Sequence, residues 1–105
     1  MAFCICLGLI CIQNGASVLR MEHDERARWV AAVADTLSAE RGVAKLNQVE
    51  AARRAEIART SYRLYEQGER QPDAIQLAAI AEAFGIPFAY LMSEIDRRAR
   101  NPRPE

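Results

Sequence analysis

A chain of 105 residues carries one domain around one core and excludes a module joined to a second sizeable domain. Half of its residues are apolar, few are aromatic and alanine dominates the middle, which points to an all-α protein and away from a sheet or a disordered chain. Fourteen basic side chains balance fourteen acidic ones, so the net charge singles out no partner and only its distribution informs.

The first twenty residues, MAFCICLGLICIQNGASVLR, are apolar almost without interruption at their start and carry no charge before Arg20. The run is shorter than the ~20 residues that span a bilayer. It lacks the basic start of a secretory signal, and Ile10 stands before Cys11 where a lipoprotein site needs a small residue. The C-x-C-x4-C spacing of Cys4, Cys6 and Cys11 offers three ligands, with the single histidine, His23, far along the chain, and argues against a metal site. Residues 1–20 are read as an extension ahead of a natural start at Met21, a hydrophobic oligomerisation or membrane-association tail being the disfavoured alternative.

From Asp24 the pattern is helical. Trp29, Val30, Val33 and Leu37 recur at three- and four-residue steps until Gly42 supplies a stop. In LNQVEAARRA, Asn47 is placed to cap a second helix, Glu50 completes a capping-box pattern, and Val49, Ala52 and Ala55 form the expected inner face. A third helix begins near Ala58 and closes at Gly68, with Tyr62 and Tyr65 on one inward side and Arg59, Thr60 and Arg63 on another. Asp73 and Gln76 cap a fourth helix with the stripe Leu77, Ile80, Ala81 and Phe84, which Gly85 ends. Pro87 suits the first turn of a fifth helix through Phe88, Leu91, Met92 and Ile95, until Asn101 and Pro102 break it. Arg97, Arg98, Arg100 and Arg103 read as a frayed, charged end. The helical domain is therefore expected over residues 21–100, with 101–105 a tail.

Positive charge concentrates in residues 41–70, where Arg41, Lys45, Arg53, Arg54, Arg59, Arg63 and Arg70 exceed Glu50, Glu56, Glu66 and Glu69. The segments on either side are acidic. Catalysis finds no support: there is no glycine-rich phosphate loop and no paired nucleophile and base, and no cofactor or small-molecule substrate is implied. Two short helices joined by a tight turn, the second basic on its outer side, are instead what the major groove of DNA accepts, and arginine can form two hydrogen bonds to guanine there.

LNQVEAARRAEIARTSYRLYEQGERQP, continued by LAAIAEAFGIPFAYLM, resembles the Cro/C1-type (Xre-like) helix-turn-helix repressor family. Leu46, Gln48, Ala52, Glu66, Gly68, Pro72, Ala81, Gly85 and Leu91 carry the likeness, over about Val33 to Met92. It implies a compact five-helix, lambda-repressor-like fold and a cytoplasmic transcriptional regulator, a repressor, that binds double-stranded operator DNA as a homodimer. By position it implies base contacts from Arg59, Thr60 and Arg63, and phosphate contacts from Gln48, Ser61 and Arg70. An antitoxin or protein-interaction module on the same fold is the alternative. Tyr62, Tyr65 and Trp29 are expected to pack, and Arg53 and Arg54 to decorate a solvated helix end.

Three departures from the family pattern stand out. Glu56 occupies the turn position that usually holds glycine, at a cost of about 1 kcal/mol if its backbone is left-handed. Ser38 replaces the arginine that usually pairs with the equivalent of Glu66, which leaves Arg41 or solvent as its partner. The stretch from Gly42 to Gln48 is longer than usual, so its loop is extended and Lys45 in it is a further phosphate candidate.

Overall fold

The computed structural model describes residues 23–102. The extension over residues 1–20, with its three cysteines, and Arg103 in the tail lie outside the described residues. Among the described residues five helices follow in order: α1 His23–Val43, α2 Gln48–Ala55, α3 Arg59–Gln67, α4 Ala74–Phe84 and α5 Phe88–Arg100. No strand occurs among the described residues, and the all-α, lambda-repressor-like architecture is the one expected.

Helix α1 carries Asp24 and Glu25 in its first turn and Arg41 in its last, charges that complement the helix dipole. It packs on α5 along one side and on α3 along another. Leu37 is buried and Trp29 and Val33 pack partly buried against the core, as expected, and the strip extends to Ala32, Thr36 and Glu40, which are buried too. Small side chains at 32 and 36 let α5 approach closely, and the buried Thr36 hydroxyl accepts a hydrogen bond from Arg98 Nη1 at 3.2 Å.

Helix α2 is held at its start by Asn47, whose Oδ1 accepts from the Glu50 amide at 2.7 Å. The reciprocal half of the expected capping box is absent, because the Glu50 carboxylate turns outward to Arg53 and Arg54. The inner face also differs from expectation. Ala51, Ala52 and Ala55 are buried, while Val49 stays 49% exposed. Alanine at three inward positions allows α2 to lie close against both α3 and α4.

Tyr62 and Tyr65 on α3 are buried, as their spacing predicts. The Tyr65 hydroxyl donates to Gln76 Oε1 at 2.7 Å, and that oxygen also accepts from the Asp73 amide at 3.2 Å, so the complete capping box of α4 is tied to α3. The α4 stripe is the expected one, Leu77, Ile80, Ala81 and Phe84. On α5 the buried residues are Leu91, Ile95 and Ala99. Phe88 is 41% exposed, and Pro87 sits at the N-cap rather than in the first turn. Arg97, Arg98 and Arg100 are helical, not frayed, because Glu94 and Asp96 pair with them at three- and four-residue spacing.

Four successive helices end in the same way. The amide two residues beyond each helix's final carbonyls closes a six-residue ring, Leu46 to Arg41, Ile57 to Ala52, Glu69 to Leu64 and Ile86 to Ala81, and the preceding amide closes a shorter one. This Schellman geometry requires a left-handed residue at the exit. Gly68 and Gly85 supply it at φ 76°, but Lys45 and Glu56 adopt φ 61° and 59° with side chains attached. Gly42 therefore does not end α1; Lys45 makes the reversal. At three exits the next residue, Leu46, Ile57 or Ile86, packs on the core, which offsets the strained backbone.

Candidate nucleic-acid interface

Helix α3 is short and two-sided by sequence. The inward tyrosines fix its rotation, and that rotation leaves Arg59, Thr60 and Arg63 exposed to solvent. Its N-cap, Ala58, offers no side-chain acceptor, so among the described residues no side chain caps the first amides of the helix. The starts of α2 and α3 converge on an open groove of ≈ 390 Å³ lined by Gln48, Val49, Arg59, Thr60 and Arg63. Four of the six residues expected to contact DNA thus meet in one concavity. Ser61 and Arg70 lie outside its lining and engage each other, Arg70 Nη1 donating to Ser61 Oγ at 3.1 Å.

The groove rests on a buried polar knot. The Glu66 side chain is only 5% exposed and accepts two hydrogen bonds from Arg41, from Nε to Oε2 at 2.7 Å and from Nη2 to Oε1 at 3.2 Å. Gln48 Nε2 donates to the same Oε1 at 2.9 Å, and Arg41 Nη1 donates to the Leu46 carbonyl at 3.0 Å. Arg41 therefore does the work of the arginine that Ser38 replaces. One guanidinium joins the end of α1, the loop before α2 and the back of α3, and Gln48 joins the start of α2 to them.

Burial alone raises the Glu66 carboxyl, but the hydrogen bonds and charge of Arg41, with the neighbouring Tyr62 and Gln48, outweigh it and hold the group below the usual carboxylate range. Glu66 in turn raises Arg41. The Tyr62 hydroxyl is buried beside this pair without reaching hydrogen-bond geometry. Burial, and then the adjacent carboxylate, push its pKa upward, so it stays a neutral phenol.

The charges divide sharply. Arg41, Arg53, Arg54, Arg97, Arg98 and Arg100 are ion-paired, and Glu50 in particular occupies Arg53 and Arg54. Among the described residues Arg59 and Arg63 form no ion pair, and the Glu66 carboxylate on the same helix is committed to Arg41 and Gln48. Two full positive charges, a hydroxyl and the rest of the Gln48 amide therefore face one groove without internal compensation. Val49 is the lining residue that sequence reasoning missed. Its apolar character assigned it to the inner face, and only the position directly after Gln48 hinted otherwise. Among the described residues no group of three His, Cys, Asp or Glu is arranged to hold a metal ion, and no single helix is long and apolar enough to cross a membrane.

A helix-turn-helix family model matches residues 39–91, from the last turns of α1 to the first turn of α5. No curated protein and no solved structure matches the chain. The match spans half of the chain and takes in every element of the groove and its supporting knot, and the family is one of DNA-binding regulatory domains rather than enzymes. On that match, and on the five-helix fold that frames it, the chain belongs to the Cro/C1-type helix-turn-helix family of DNA-binding regulators.

Proposed function

We propose that the protein is a cytoplasmic, sequence-specific transcriptional repressor that lays α3 in the major groove of a double-stranded operator. The observation that carries this reading is the groove where Arg59, Thr60, Arg63 and Gln48 converge with the two arginines unpaired. An arginine whose charge is already neutralised gains little by meeting DNA, whereas an unpaired one at the start of a helix can make two hydrogen bonds to guanine. Arg59 and Thr60 contact base edges, and Arg63, one turn on, a base or its flanking phosphate.

Gln48, pinned to Glu66, presents its remaining amide groups to phosphate and fixes the register of α2 against the backbone. The Arg70–Ser61 pair, off the edge of the groove, contacts phosphate without reading sequence, and Lys45 in the preceding loop is a further phosphate ligand. The regulator occupies residues 21–100, with 1–20 an extension and 101–105 a tail. It works without cofactor or small-molecule substrate, as a homodimer on a two-fold site.

The exposed Phe88 and Tyr90 at the start of α5 support a protein contact on that helix. We assign it to a second copy; an antitoxin or interaction module would offer the same surface to another protein. Selection of bound duplexes from random DNA tests the reading. Enrichment of a defined, two-fold-related sequence is the expected result. Failure of folded protein to enrich any sequence refutes it and favours the interaction module.

A further inference from the structure

Among the described residues Val49 is the one apolar side chain that lines the groove. The others there, Gln48, Arg59, Thr60 and Arg63, are polar or charged. The buried face of α2 is made of Ala51, Ala52 and Ala55, and Val49 does not pack on the core. A β-branched residue is also not what an exposed helical position favours, since alanine is the better helix former. Core packing and helix propensity both leave valine unexplained here. Single exposed apolar residues are ordinary on protein surfaces. Its place in the groove, not its exposure, sets Val49 apart from Val43, Ile75 and Phe88, which do not line it.

The base edges of the major groove carry one apolar group, the C5-methyl of thymine. A valine there is held in one preferred rotamer by its helix. Its backbone lies within the turn closed by the Glu50 amide donating to Asn47 Oδ1, and the Gln48 side chain just before it is held by Glu66. It is a rigid apolar patch aimed where polar neighbours can gain nothing from a methyl group. We propose that Val49 is a specificity-determining residue that packs on the methyl of a thymine adjacent to the base read by Arg59, an inference that rests on the DNA-reading role proposed above.

The test uses the full chain and the duplex recovered by selection, with each thymine replaced in turn by uracil. Uracil keeps every hydrogen-bonding group and removes only the methyl. One thymine per half-site is expected to respond, with binding weakened about fourfold, the worth of one methyl withdrawn from water. Val49→Ala, which removes both γ-methyls at an exposed helical site, is expected to bind thymine and uracil duplexes equally. If every uracil duplex binds as tightly as its parent, or if Val49→Ala responds to the same replacement as the native chain, Val49 reads no methyl while the major-groove reading stands. If no duplex is enriched at all, both fall together.

Discussion

Replacing Arg41 by methionine isolates the polar knot behind α3. The Glu66 carboxylate, 5% exposed, then loses both hydrogen bonds from Arg41 and the opposite charge they carry, and keeps Gln48 Nε2. Breaking a buried pair in this way costs about 3–5 kcal/mol, and because Arg41 itself is 21% exposed we place the loss near the lower end, about 3 kcal/mol. That is a large share of the total for a domain of this size, and it lowers Tm by ~12–24 °C.

The pH dependence gives the sharper signature. In the native chain the Glu66 carboxyl is depressed, so its contribution is fully present above the unfolded value, about 4.3, and is lost as pH falls through the folded value. In Arg41→Met burial dominates and the folded value rises above the unfolded one. The variant's deficit should then shrink as pH falls from 7 towards 5, because a protonated Glu66 is tolerated inside. Urea denaturation followed by circular dichroism at pH 5, 6 and 7 measures this, with the variant-minus-native difference cancelling the other carboxylates. A loss below about 1 kcal/mol, or a difference flat across that range, would refute the reasoning. Arg41→Met combined with Glu66→Leu should recover most of the loss, since no buried charge is then left unpaired.

Three further outcomes are expected. Glu56→Gly relieves the left-handed exit of α2 and should raise stability by about 1 kcal/mol, read as a higher Tm; no gain would mean that the turn stores no strain. Arg59→Ala should relax preference at one base position, worth about 1–3 kcal/mol of discrimination, in a repeated selection; an unchanged profile removes Arg59 from the reading set. Arg70→Ala should weaken binding nearly uniformly across sequences and make the salt slope shallower by about one; a loss confined to one sequence contradicts a phosphate role.

The sequence made the helices legible wherever a stop or cap has a strong chemical preference. Asp73 with Gln76 and Gly85 bounded α4, and Gly68 ended α3, because those residue types have specific roles at helix ends. The left-handed Glu56 is legible only through the family pattern, which usually places glycine there, whereas nothing in the sequence marks Lys45, since a left-handed residue that carries a side chain has no pattern of its own. On α1 the larger Trp29, Val33 and Leu37 were legible, but the buried Ala32, Thr36 and Glu40 were not, because one is small and two are polar. The same bias sent Val49 inward and overlooked Ala51.

At the groove, the positions of Arg59, Thr60 and Arg63 followed from the inward tyrosines, and the family likeness supplied their register. What the sequence could not settle was pairing. Arg41 rather than solvent takes Glu66, and Glu50 turns from its cap to Arg53 and Arg54, because such choices depend on which helix ends meet in space. Glu94 and Asp96, three and four residues before the last arginines, were a legible sign that those arginines belong to a helix.

The central claim is that α3 reads the major-groove edge of guanine through Arg59. Titration of the native chain against its selected duplex, with the contacted guanine replaced by 7-deazaguanine, tests it most directly, because only the N7 acceptor in the major groove is removed. The account predicts binding weakened by about tenfold for the native chain and by nothing for Arg59→Ala, which has no group left to use that acceptor. Equal binding of both duplexes by the native chain, or an equal loss in the variant, would contradict it.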